Sequence, residues 1–134
     1  MILNNGNPEG MEMEKRIVIH REEYENLPVR FQNKIIHDLQ YLVNAGIPGL
    51  KKIYLFGSCA RGRVRSTSDV DLMILTEKKI IDRTISSDIR WTLDDPIDGV
   101  RTDVVFACEG MDGASRVFKK EVDRDKKLIL EVME

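Results

Sequence analysis

Large apolar side chains recur along the chain with two periods, and each period predicts a different kind of element. Between about Tyr24 and Gly46 they follow helical spacing, which predicts an amphipathic helix of roughly 16 to 20 residues with Pro28 near its start. Runs at 53–56 and 70–75 have the length and composition of buried strands. The apolar positions that define the helix are Ile35, Ile36, Leu39, Leu42 and Val43.

Weaker patterns complete the predicted order of elements. Residues 16–20 predict a short strand, 84–94 a helix that ends before Pro96, and 100–106 a third buried strand. A final helix is predicted at about 113–125, and 128–130 is either a helical turn or a last strand.

A helix followed by strands that alternate with helices is typical of an α/β or α+β protein with one mixed sheet and helices packed on one face. Residues 1–14 combine Asn, Gly, Pro and Glu with few large apolar side chains, so we expect a flexible leader there. Residues 15–134 are expected to form a single domain.

Composition excludes several classes of protein. The chain has 134 residues, of which 42% are hydrophobic and 33% charged, with a formal net charge of −2. No segment has the ~18 to 20 apolar residues that a membrane span needs, and the first residues lack the pattern of a signal peptide, so we expect a cytoplasmic protein. The net charge argues against bulk binding of nucleic acid. Cys59 and Cys108 do not form a metal-binding or redox pattern and are interpreted as packing residues.

The sequence after the strand at 53–56 predicts a turn that can hold a phosphate. Gly57 allows a tight turn and a close approach by a ligand, because it has no Cβ. Ser58 then opens a short helix that Gly62 ends in a left-handed conformation. Unpaired N–H groups and a hydroxyl at such a helix start suit a phosphate. Taken alone, this segment is weak evidence for a phosphate site, and an ordinary turn is then the better interpretation.

Two carboxylates follow at the edge of the next strand. Residues two apart in a strand face the same side, so Asp69 and Asp71 are predicted to point together while Val70 faces the core. One or two carboxylates together with the phosphates of a substrate are the usual ligands of Mg²⁺. The alternative is an exposed turn with two solvated carboxylates.

Asp103 lies in the third predicted strand, among Val104, Val105 and Phe106. It is either an exposed residue at the strand edge or a third carboxylate of the same cluster, if this strand pairs beside the second one. Three carboxylates suit a site in which two metal ions assist phosphoryl or nucleotidyl transfer. Asp103 would then orient or deprotonate the hydroxyl that attacks.

The arginines that follow the predicted phosphate turn, and the single tryptophan of the chain, each have two possible interpretations. Arg63 and Arg65 are candidates for binding a triphosphate, because the guanidinium group matches phosphate oxygens, whereas Arg61 can equally form a structural salt bridge. Trp91, on the helix at 84–94, is expected in the core, with the alternative that it faces an adenine.

These residues resemble a known signature. Gly57-Ser58, ten intervening residues, Asp69-Val70-Asp71 and a later strand acid at Asp103 are similar to the pattern of the DNA polymerase β-like nucleotidyltransferase superfamily. Within it, the short chain and the run from Gly57 to Gly62 look most like the minimal nucleotidyltransferase (MNT) group. The motif covers residues 53–75, and the order of elements extends the resemblance to about residues 27–108.

The resemblance implies a polymerase β-like fold and an Mg²⁺-dependent nucleotidyltransferase, with two Mg²⁺ ions and ATP as the donor of AMP. It implies that Gly57 and Ser58 contact the nucleotide phosphates and that Asp69, Asp71 and Asp103 are the catalytic and metal-binding residues. Minimal members are often paired with a helical HEPN-domain protein as toxin and antitoxin, and modify a tyrosine of that partner.

Two other functions stay open at this stage. One is an antitoxin that neutralises its partner by forming a complex, without catalysis. The other is an adenylyltransferase acting on a small molecule such as an antibiotic. Because larger relatives carry a helical domain that does not follow here, we expect substrate recognition to come from a partner or from a homo-oligomer.

Overall fold

A five-stranded mixed sheet, in the order β1-β5-β2-β3-β4, forms the centre of the molecule. We describe it from a computed structural model, which covers residues 16–109 and 124–133. The strands are β1 (Arg16–Ile19), β2 (Leu50–Phe56), β3 (Val70–Thr76), β4 (Thr102–Cys108) and β5 (Lys127–Met133). The α-helices are α1 (Val29–Asn44), α2 (Gly57–Arg61) and α3 (Arg83–Asp94), and a 3₁₀ turn spans Arg21–Glu23.

The predicted elements that lie within the described residues are confirmed in kind, with some shifts in their bounds. The third strand begins at Thr102, because Val100 instead pairs with Ile97 in an isolated bridge. Residues 128–130 belong to strand β5, which settles the alternative left open there. The predicted leader at 1–14 and nearly all of the predicted helix at 113–125 lie outside the described residues.

The helices pack on one face of the sheet, as predicted. Along β3 the side chains alternate, and Val70, Leu72 and Ile74 are fully buried while the residues between them are partly exposed. Leu39 of α1 and Ile89 of α3 belong to the same core as these strand residues. In the described part of the chain, no helix is long and apolar enough to cross a membrane.

The pairing of β3 with β4 is parallel, whereas the other strand pairs are antiparallel. Parallel neighbours need a crossover connection, and helix α3 provides it. The start of α3 is capped by Asp82, whose carboxylate accepts a hydrogen bond of 2.9 Å from the backbone N–H of Thr84. The crossover brings β4 beside β3 with both strands running in the same direction.

A buried ionic network joins α1, α3 and the start of β4. Nζ of Lys34 donates to Oδ1 of Asp38 at 2.7 Å and to the carbonyl oxygen of Leu93 at 2.9 Å. The hydroxyl of Thr102 donates to the other carboxylate oxygen of Asp38. Lys34 and Asp38 are 0% and 1% exposed. The network therefore fixes the first residue of β4 against the two long helices.

Removing one member of this network should be costly. We expect Lys34→Met to lower the free energy of unfolding by about 3–5 kcal/mol, because the Asp38 carboxylate is then buried without its cationic partner. Urea denaturation measures the change, with Lys79→Met, an exposed lysine, as the matched control. The double variant Lys34→Met/Asp38→Leu should recover part of the loss. A loss no larger than that of the control would contradict this role.

Candidate active site

Asp71 and Asp103 lie side by side on neighbouring strands. The parallel register pairs Asp71 of β3 with Asp103 of β4, and it pairs Val70 with Thr102 and Leu72 with Val104. Because side chains alternate along a strand, the flanking residues face the helices while the two aspartates face the opposite side. Val70, Leu72, Thr102 and Val104 are all buried, which agrees with this arrangement. The prediction that the third strand pairs beside the second is therefore confirmed.

Gly57 lies directly against the carboxylate of Asp71. The antiparallel register places Phe56, the last residue of β2, opposite Asp71, so the next residue turns across the end of β3. A Cβ at position 57 would lie 3.1 Å from Cγ of Asp71 and closer still to Oδ2. The backbone of Gly57 also has φ = +73°, a conformation that residues with a Cβ rarely adopt. The site thus needs glycine here for both space and conformation.

The short helix predicted after this glycine is confirmed. Helix α2 spans Gly57–Arg61 and ends at Gly62, which has φ = 70° and ψ = 23° in the left-handed region. The backbone N–H of Arg63 donates to the carbonyl oxygen of Ser58 at 2.9 Å and closes the turn. Cys59 is buried in α2 and Ser58 is partly exposed, so the serine remains accessible next to Gly57.

The acidic groups interact electrostatically. Burial, followed by the negative charges of Asp103 and Asp69, raises the pKa of Asp71 to about 6, and Arg61 partly opposes this rise. Asp69 and Asp103 are themselves exposed. The structure therefore brings the three sequence-predicted carboxylates into one interacting group.

Cys59 is a packing residue, as predicted. It is 3% exposed, and burial together with Asp71 and Asp69 raises the pKa of its thiol to about 12. Its Sγ lies 3.6 Å from the backbone oxygen of Asp69. A thiol with so high a pKa stays protonated and is not a nucleophile at neutral pH. Cys108, the second cysteine, is a partly exposed free thiol.

The three candidate arginines differ in their surroundings. Nη1 of Arg61 is 2.9 Å from Oδ2 of Asp125, which is the salt bridge that was the structural alternative for this residue. The side chains of Arg63 and Arg65 are exposed and make no hydrogen bond or ion pair with any residue that the structure describes. They remain available to an anion that approaches α2.

The residues at this site fit Mg²⁺, although they do not form a closed metal cage. Among residues 16–109 and 124–133, no group of three or more His, Cys, Asp or Glu side chains is arranged to hold a metal ion. Mg²⁺ is commonly held by one or two carboxylates and the phosphates of the substrate, and it does not require a complete set of protein ligands. The site offers carboxylate oxygens, the hard donors that Mg²⁺ prefers, beside a glycine that leaves space next to Asp71.

Trp91 is not a core residue, which corrects the expectation from sequence. It is 84% exposed, because α3 turns Ile89 and Leu93 toward the sheet and Trp91 away from it. It lines a cavity of about 390 Å³ between α3 and β4, which we call the α3–β4 cavity. Residues around this cavity include Ser87, Arg90, Trp91, Asp94, Thr102 and Asp103.

Sequence reasoning missed both this cavity and the buried network of Lys34, Asp38 and Thr102. The signal for the network was present, since Lys34 and Asp38 fall on the apolar stripe of α1. The signal for Trp91 was its position two residues from both Ile89 and Leu93, which places it across the helix from them.

A turn and short helix after one strand, followed by carboxylates on the next two strands of a mixed sheet, define a nucleotidyltransferase-type domain. Residues 33–134 match the family described as Polymerase beta, Nucleotidyltransferase, and the chain therefore belongs to that family. The curated proteins include no match to the chain.

Solved structures similar to this one include minimal nucleotidyltransferases in toxin-antitoxin complexes. One is a toxin-antitoxin with AMP-PNP, 30% identical, with a TM-score of 0.52, over 72% of this chain and 70% of that chain. Another is the tri-AMPylated HEPN toxin of Shewanella oneidensis in complex with its MNT antitoxin, 25% identical, with a TM-score of 0.51, over 72% of this chain and 69% of that chain. A nucleotidyltransferase of Sulfolobus solfataricus, 23% identical, with a TM-score of 0.51 over 75% of this chain and 79% of that chain, shares the fold.

The acidic group should make the metal-free protein less stable at neutral pH. Because the pKa of Asp71 is raised from 3.8 to about 6, the folded state binds more protons than the unfolded state between these values, and stability falls as pH rises through them. We expect Asp71→Asn to stabilise the protein by about 1–2 kcal/mol above pH 6, and the gain to vanish near pH 4.

Thermal melting in the presence of a chelator, across this pH range, measures the effect. Asp88→Asn, which changes an exposed aspartate of α3, is the control and should leave the profile unchanged. A stabilisation by Asp71→Asn that is equally large at pH 4 and pH 7.5 would contradict the electrostatic explanation.

Proposed function

We propose that the chain is an Mg²⁺-dependent nucleotidyltransferase that transfers AMP from ATP to a hydroxyl group of a partner protein of the HEPN type, as the antitoxin of the pair. The observation that carries the proposal is the register that sets Asp71 beside Asp103, with Gly57 against Asp71. This arrangement combines a turn that can hold phosphates with carboxylates that can hold a cation.

In this proposal the donor nucleotide binds at the start of α2. The backbone N–H groups after Gly57 and the hydroxyl of Ser58 donate to the phosphates. Arg63 and Arg65, which are exposed and make no ion pair with the described residues, approach the β- and γ-phosphates. The absence of a side chain at Gly57 allows the phosphates to come close to Asp71.

Asp69, Asp71 and Asp103 would hold Mg²⁺. When bound, Mg²⁺ neutralises the charge that develops on the phosphate oxygens and so stabilises the transition state. Asp103 accepts the proton of the attacking hydroxyl. The hydroxyl oxygen forms a bond to the α-phosphorus, the bond between that phosphorus and the α–β bridging oxygen breaks, and pyrophosphate leaves with the bonding electrons.

The similar structures support the choice of donor and acceptor. One neighbour is described with AMP-PNP, an analogue of ATP, and another is described as a complex in which the HEPN toxin carries AMP groups. Both are toxin-antitoxin complexes, and each match covers 72% of this chain. We extend these properties to the present chain as part of the proposal.

Nucleotide binding tests the donor site directly. Calorimetric titration of the purified chain with ATP, GTP, CTP and UTP, with Mg²⁺ and with chelator, should show Mg²⁺-dependent binding of ATP. The variant Asp69→Ala/Asp71→Ala should lose this binding while it keeps its fold by circular dichroism. Asp88→Ala, an exposed aspartate outside the site, should bind as the unchanged protein does.

Transfer to the partner tests the reaction itself. Incubation with a HEPN-type partner, ATP and Mg²⁺ should add the mass of AMP to the partner. The rate of this transfer should be lower in Asp69→Ala/Asp71→Ala by about a hundredfold or more. Normal neutralisation of the partner by the double variant, with no transfer by the unchanged protein, would favour the antitoxin that acts only by complex formation.

A further inference from the structure

Strand β4, which carries Asp103, has a neighbouring strand on one side alone within the part of the chain that the structure describes. It is the last strand of the sheet order, and β3 is its neighbour. An edge strand opens more easily than a central one, because its outward backbone groups lack a partner strand. The position of Asp103 therefore depends on what holds the outer side of β4.

The hydrogen bonds of β4 show which of its backbone groups face outward. The backbone N–H of Val70 on β3 donates to the carbonyl oxygen of Arg101 at 2.9 Å, so the backbone groups of Arg101 point toward β3. Because these groups alternate in direction along a strand, those of Asp103 also point toward β3, and those of Val104 point to the open edge. The carbonyl of Val104 is thus an edge acceptor one residue from Asp103.

Arg90 of helix α3 binds this edge acceptor. Its Nη1 donates to the carbonyl oxygen of Val104 at 2.8 Å, and its guanidinium carbon lies 5.0 Å from the centre of the Phe106 ring. A hydrogen bond from a charged donor is stronger than one between neutral groups, and a cation over an aromatic ring adds a second attraction. Since the two contacts are made to residues two apart on β4, the guanidinium holds a length of the strand and takes the place of a neighbouring strand.

Asp103 lies between two residues that are both held from the helical layer. Thr102, before it, donates to the carboxylate of Asp38 on α1, and Val104, after it, accepts the hydrogen bond of Arg90 on α3. Thr102 and Val104 are 3% and 5% exposed, whereas Asp103 is exposed. Because the backbone is fixed on both sides of it, the exposed carboxylate is restricted in where it can lie.

We propose that Arg90 is a positioning residue for nucleotidyl transfer, which binds the outer edge of β4 and so keeps Asp103 in place beside Asp71. The inference rests on the proposed function, because Arg90 acts through Asp103 and is assigned no contact with the substrate. Both residues line the α3–β4 cavity, so the alternative is that Arg90 binds a phosphate of the substrate there. Its guanidinium is already engaged by the carbonyl of Val104 and the ring of Phe106, which favours the positioning role.

Amide hydrogen exchange of the metal-free protein tests the contact without any reaction. We expect Arg90→Ala to speed exchange in β4 by about three- to tenfold, the net worth of one hydrogen bond, and to leave exchange in β2 and β5 unchanged. Arg83→Ala is the matched control, because Arg83 is an exposed arginine of the same helix, as Arg90 is. Unchanged exchange in β4 of Arg90→Ala, or a uniform increase in all strands, would overturn the inference.

Kinetics of AMP transfer to the HEPN-type partner measure the consequence for the site. We expect Arg90→Ala to lower kcat by about tenfold and to leave the KM for ATP unchanged, because the donor is bound at Gly57 and Ser58 on the other side of Asp71. Arg90→Lys keeps a donor for the carbonyl of Val104 and should recover part of the rate. A raised KM for ATP in Arg90→Ala, with kcat unchanged, would mean that the guanidinium contacts the nucleotide and would overturn the positioning role.

A double-mutant cycle shows whether Arg90 acts through Asp103. In the Asp103→Asn background, Arg90→Ala should lower the residual single-turnover rate by no more than about twofold, because the carboxylate that Arg90 positions is already gone. A loss of about tenfold in both backgrounds would mean that Arg90 acts independently of Asp103 and would overturn the inference. Absence of Mg²⁺-dependent ATP binding and of transfer in the unchanged protein contradicts the proposed function instead, and hydrogen exchange then still decides whether Arg90 holds β4.

Discussion

The parallel pairing of β3 with β4 is the constraint on which the site depends. It is the register of this pair that sets Asp71 beside Asp103, and a slip of one residue would turn Asp103 toward the helices and Val104 toward the site. The register is secured at the first residue of β4, where Thr102 donates to the buried carboxylate of Asp38. A network inside the helical layer thus determines the position of a carboxylate on the other face of the sheet.

The two groups of charge in this domain obey different physical rules. Lys34 and Asp38 neutralise each other at 2.7 Å in the core, so their charges are satisfied without any ligand. The acidic group at Asp71 is less fully compensated. Among the residues that the structure describes, Arg61 is the cation that lowers the pKa of Asp71, and Arg61 is itself paired with Asp125. The first group holds the structure together, and a bound cation would stabilise the second. A buried pair that is already neutralised is typical of a structural role, whereas acidic groups without full compensation are typical of candidate binding sites.

The sequence predicted the elements and the acidic residues because both follow local patterns. Alternation along β3 is sufficient to place Val70 in the core and Asp71 outside it, and a glycine and serine after a strand indicate the turn. The buried network required two long-range facts, that the apolar stripe of α1 covers the start of β4 and that α3 ends beside it. The prediction that Trp91 lies in the core was wrong. It rested on the hydrophobicity of tryptophan, whereas on helix α3 Trp91 lies on the side opposite Ile89 and Leu93, which are buried.

The two sides of the acidic group are built to different degrees. On one side, β2, the turn at Gly57 and helix α2 lie against Asp71. On the other side, β4 is the edge of the sheet that the structure describes, and Asp103 is exposed there. The side at Gly57 is therefore shaped by the chain itself, whereas Asp103 lies at an edge that another molecule can approach.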